Sequence, residues 1–143
     1  MHIKYHVVAT MGLWAINPQF ESGHAVWLLM MMLFSGVFID FFDHGIYSLA
    51  TVRPFSLERA LEEHKKWYEK METKFYVFHT FEFFILLGLL THGFWWGTYF
   101  MLSYLLHLGL DAYKYISKKR DFGFLRYWLA TNWILNEYRK IKA

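Results

Sequence analysis

The 143-residue chain has no cysteine and only two prolines. Without cysteine there is no disulfide, no thiolate metal site and no cysteine nucleophile. Charge of either sign is also scarce over most of the chain. Residues 1–52 and 75–113 together hold six of the fifteen basic and twelve acidic side chains; the other twenty-one sit in 53–74 and 114–143. A mean hydropathy of only +0.17 conceals this segregation. It argues against an ordinary soluble domain and for a small polytopic membrane protein. Hydrophobic residues make up 56% of the chain and aromatics 22%, which excludes disorder. The net charge of +3 is small and scattered, so nucleic acid is not an expected partner. Basic flanks beside a membrane account for it.

What is present is a series of apolar stretches. Ile3–Ile16 reads as a short first membrane helix, broken at Asn17-Pro18. Val7–Ile16 has the length of a signal-peptide core, but a weak basic start and the lack of a small-residue cleavage site argue against that role. His24–Phe42 is a second span, its run Ala25–Ile39 free of charge. Phe75–His92 and Gly97–Ile116 are the third and fourth, joined by a short turn and therefore antiparallel neighbours.

Between spans two and three, residues 56–72 predict an amphipathic surface helix, with Ser56 as N-cap. Residues 122–140 predict an interfacial C-terminal helix, because charges return every few residues among the aromatics. The expected fold is all-α: a single membrane domain of about four transmembrane helices with amphipathic interfacial helices. No internal repeat or low-complexity tract interrupts it.

Basic residues set the sidedness. Segment 53–74 carries six Lys or Arg and the stretch after Tyr113 carries eight, whereas loop 17–23 and the turn at His92 carry none. Four passes put both basic segments on the cytoplasmic side of a prokaryotic-type membrane, with both termini cytoplasmic.

Ionisable residues within spans are costly and usually functional. Here they are His6; Asp40, Asp43 and His44; His79 and Glu82; His107 and Asp111. The i,i+3 and i,i+4 spacings put the members of each group on one helix face. In the four-pass reading, all eight occupy one layer near the cytoplasmic surface, while His24 and His92 fall at the opposite surface. Four imidazoles and four carboxylates in a low dielectric call for compensation, which one or two divalent ions supply directly. Taken singly, each histidine is an ordinary hydrogen-bonded core residue. Asp43 and His44 read equally as polar residues at a helix end.

Four motifs in order, "YHVV" at 5–8, "GVFIDFFDH" at 36–44, "VFHTFEFFILL" at 77–87 and "SYLLHLGLDAY" at 103–113, resemble the small membrane-bound metal-dependent hydrolases, including the LexA-regulated inner-membrane type. Such proteins carry an N-terminal His, a D-x-D-H ending a helix, an H-R-G-x-T-H-S opening the next and a GYxxHLxLD-type motif on the last core helix. Here the second motif is spaced D-x-x-D-H, and the third lacks its first His and its Arg.

The resemblance implies a hydrolase with His6, Asp43, His44, His79, His107 and Asp111 as metal ligands. Asp40 and Glu82 would be ligands, supporting groups or the general base. Zinc suits the donors best, with iron and manganese as alternatives. Membrane lipid surrounds such a protein, and a lipid or other amphiphile carrying an ester or phosphoester is the expected substrate. The alternative is a non-catalytic subunit whose polar layer is an ion-pair network or a structural metal site, partnered by its own copies or by a membrane complex. A di-iron or haem redox protein is a third class, disfavoured by the few histidines and the neighbouring carboxylates.

Overall fold

A computed structural model of the chain describes residues 3–17, 23–51, 56, 58–59, 62 and 76–142. Every regular element among them is helical. In order these are α1 (Ile3–Ala15), α2 (Ala25–Leu33), a π turn (Phe34–Phe38), α3 (Ile39–Thr51), a 3-10 turn (Val77–His79), α4 (Phe81–Thr91), α5 (Gly97–Lys119), α6 (Leu125–Trp128) and α7 (Ala130–Lys142). α5 is the central helix and packs against α1, α2, the π turn and α4.

α2, the π turn and the start of α3 form one rod, Ala25–Gly45, with a mean hydropathy of 2.1. Among the described residues it is the one helix both long and apolar enough to cross a membrane. α4 is apolar but has 11 residues, about half the thickness of a bilayer core. α5 has 23 residues, but Asp111, Lys114, Lys118 and Lys119 dilute its last turns.

The distribution of polarity is inverted relative to a water-soluble bundle. Buried side chains include His6, Thr10, Ser35, Asp43, Thr80, Ser103 and His107, whereas Val8, Phe41 and Leu89 are 68%, 69% and 72% exposed. A small apolar core of Ile39, Tyr104 and Leu108 is flanked by Phe78, Phe83, Phe84, Leu87, Met101 and Trp128. It lies beside the polar residues rather than around them.

Small residues allow this packing. A Cβ on Gly36 would collide with the hydroxyls of Thr10 and Ser103, so α1, the π turn and α5 meet there at backbone distance. The Thr10 and Ser103 hydroxyls lie 3.3 Å apart, and Ser103 donates to the Met32 carbonyl at 2.8 Å. Ser35 donates to the same carbonyl at 3.2 Å. Trp14 Nε1 donates to the Ala25 carbonyl at 2.9 Å and ties α1 to α2.

α4 starts at Thr80, whose hydroxyl accepts from the Phe83 amide at 3.2 Å, an N-cap. The turn between α4 and α5 contains Gly93 at φ +91, a conformation that favours glycine.

One expected element is described only at its start, and another is divided. Over 56–72, Ser56 accepts from the Arg59 amide at 3.1 Å, as the predicted N-cap should. Beyond Glu58, Arg59 and Glu62, that helix lies outside the described residues. The single C-terminal helix expected over 122–140 is divided at an extended Leu129 into α6 and α7. Glu82 provides the reason, because its carboxylate reaches across from α4. It accepts from the Ala130 amide at 3.1 Å and from the Thr131 amide and hydroxyl at 3.3 Å, so a new helix starts there.

Candidate metal centre

Four separate elements deliver the polar side chains. α1 brings His6, the first turns of α3 bring Asp40 and Asp43, the 3-10 turn brings His79, and α5 brings His107 and Asp111 one turn apart. His6, Asp40, His107 and Asp111 each present a ligand atom within 4.8 Å of the others, close enough to hold a metal ion.

His79 Nε2 joins them at 3.1 Å from His107 Nε2, 3.3 Å from Asp40 Oδ1 and 3.5 Å from Asp111 Oδ2. His107 Nε2 is 3.5 Å from each of those two oxygens. Five edges of a four-cornered figure are thus nearly equal. They make two near-equilateral triangles that share the nitrogen–nitrogen edge, and atoms about 3.4 Å apart can each lie about 2.1 Å from a common point, the bond length of nitrogen and oxygen ligands around a small divalent ion.

Both histidines have a fixed tautomer. The Nδ1–H of His79 donates to Asp43 Oδ2 at 2.8 Å, and the Nδ1–H of His107 donates to the Gly36 carbonyl at 2.9 Å. In the neutral rings the two Nε2 atoms therefore carry lone pairs, and these face each other with two carboxylate oxygens alongside. Four acceptors without a donor repel unless a cation or shared protons occupy the space between them. The backing of each ring by a carboxylate or a carbonyl is the usual support of metal-bound histidines.

Three sequence expectations are revised by these positions. Asp43 does not face the centre: it stands behind His79, and its Oδ1 also accepts from the Phe78 amide at 3.3 Å. Asp40, one turn earlier on the same face, takes the inward place, while the Asp43 carboxylate is taken up by His79 Nδ1 and the Phe78 amide. Glu82 is absent from the layer, its carboxylate being engaged at the start of α7. His44 stays at the rim, with Nε2 3.7 Å from Asp40 Oδ1 and its ring 4.8 Å from that of Tyr76. His24, excluded from the layer, packs on Trp95 in the other loop region, the ring centroids 5.1 Å apart.

Two contributors lie within the quoted motifs but were given no role from sequence. Gly36 supplies the carbonyl that orients His107. Tyr104 donates its hydroxyl to the Phe78 carbonyl and steadies the 3-10 turn that carries His79.

No family model, no curated protein and no solved structure matches this chain.

Proposed function

We propose that the chain is an integral membrane metal-dependent hydrolase acting on an ester or phosphoester of a lipid or amphiphile at the cytoplasmic interface. The observation that carries this reading is the face-to-face approach of His79 Nε2 and His107 Nε2 between two carboxylates, with both Nδ1 atoms already engaged. Asp40, His79, His107 and Asp111 hold the ion, and zinc suits a four-cornered set of imidazole and carboxylate donors. A divalent ion in such a place supplies Lewis acidity towards the substrate oxygen and makes a bound water more acidic.

The protein's own groups do the rest. Asp43 and the Gly36 carbonyl orient the two imidazoles. His44, at the rim and within reach of Asp40, is placed to accept or deliver a proton at Nε2. The apolar exterior supports a bilayer setting, the segregation of basic residues supports four passes with both termini cytoplasmic, and the motif resemblance points to the same chemistry.

Elemental analysis of detergent-purified protein tests the metal. Stoichiometric divalent metal is expected in the wild type and little in His107→Ala/Asp111→Ala; unchanged content in that variant would overturn the assignment. Hydrolysis of ester and phosphoester probes, abolished by a chelator and restored by zinc, tests the activity.

One observation favours a second reading, a non-catalytic subunit with a structural ion. Four protein atoms, two imidazole nitrogens and two carboxylate oxygens, already cluster as a full ligand set, as in closed structural sites. A stoichiometric copurifying partner and no metal-dependent hydrolysis would support that reading over the enzyme.

A further inference from the structure

Each carboxylate at the centre has two oxygens, and the four-atom set takes one from each. The remaining pair converges elsewhere. Asp111 Oδ1 lies 3.3 Å from His6 Nε2, and Asp40 Oδ2 lies 3.8 Å from the same nitrogen. His6 is 1% exposed, and neither of its ring nitrogens makes a hydrogen bond of normal geometry among the described residues. Burying a polar ring in that condition is costly unless something else engages it. His6 belongs to α1, which contributes nothing to the four-atom set, and its ring centroid stands 4.2 Å from that of His107.

We propose a second divalent-cation subsite made by His6 Nε2, Asp111 Oδ1 and Asp40 Oδ2, so that Asp40 and Asp111 bridge two ions. The inference rests on the metal reading above. The two subsites differ in kind. The first has four protein ligands, whereas the second has three and leaves a coordination position without a protein ligand, as catalytic sites do. That difference reconciles a full ligand set with an active enzyme, because the reacting oxygen would be met at the His6 side. Mixed imidazole and carboxylate donors suit zinc or manganese.

The test uses the full chain in detergent, stripped with a chelator, loaded with Mn²⁺ and desalted. Two ions per chain are expected in the wild type and one in His6→Ala. One ion per chain in both would overturn the second subsite and leave the first intact; none in either would overturn both. A measurement on the wild type alone avoids any dependence on the folding of the variant. At two equivalents of Mn²⁺, electron paramagnetic resonance should show an exchange-coupled pair in place of the six-line signal of isolated ions. An undiminished six-line signal at that loading would refute carboxylate bridging.

Discussion

His79 is gripped on its outer edge by Asp43 and offers its inner nitrogen to the centre. Supporting carboxylates of this kind tune metal affinity by roughly 10–100-fold. Asp43→Ala should weaken metal binding by about that factor, measured by competition with a chromogenic chelator. Asp43→Asn, which retains an acceptor for Nδ1–H, should lose less. Acid should act in the same direction. A ligating imidazole must be neutral and a ligating carboxylate ionised, so protons compete with the metal, and affinity should fall as the pH is lowered. Retained metal after desalting at pH 8 and at pH 5 checks the sign: high at pH 8, low at pH 5.

At the scale of elements, α7 begins where Glu82 receives it. Removing a capping acceptor costs about 0.5–2 kcal/mol. Glu82→Ala should therefore speed amide hydrogen exchange over 130–142 while leaving metal content unchanged; loss of metal would return Glu82 to the centre.

The same contact marks the limit of what can be read from sequence. The apolar stretches and the helix-face spacings were legible because they are local. Of the eight polar residues expected in one layer, His6, Asp40, His79, His107 and Asp111 come together, whereas Glu82 turns to α7 and Asp43 backs His79. The break at Leu129 was not legible, since its cause lies 48 residues away in sequence, between Glu82 and Ala130. Nor was the π turn, which is held by Thr10 and Ser103 from other helices. Without it, an uninterrupted α-helix leaves undecided whether Asp40 or Asp43 faces inward.

At the scale of the whole molecule, large apolar side chains cover the outside while hydroxyls, imidazoles and carboxylates fill the inside. Backbone and side-chain polar groups must find partners internally when the surroundings are hydrocarbon, and this arrangement answers that demand for the hydroxyls and for His79 and His107, though not for the ring nitrogens of His6. A chain with no cysteine makes the topology straightforward to probe. Single cysteines at Gly23 and His92 should react with an impermeant maleimide from outside intact cells. Those at Lys119 and Lys142 should react only after permeabilisation. Gly23 and His92 labelled from opposite sides would exclude four passes.

The π turn also acts as a phase shifter. One extra residue accommodated in Phe34–Phe38 turns everything after it by about 100° relative to an uninterrupted helix. Asp40 and Asp43 are therefore aimed by an insertion that neither of them touches. Deleting Val37 should leave the rod nearly as long and as apolar, yet swing both carboxylates off their targets together, so a change silent in hydropathy would erase the centre.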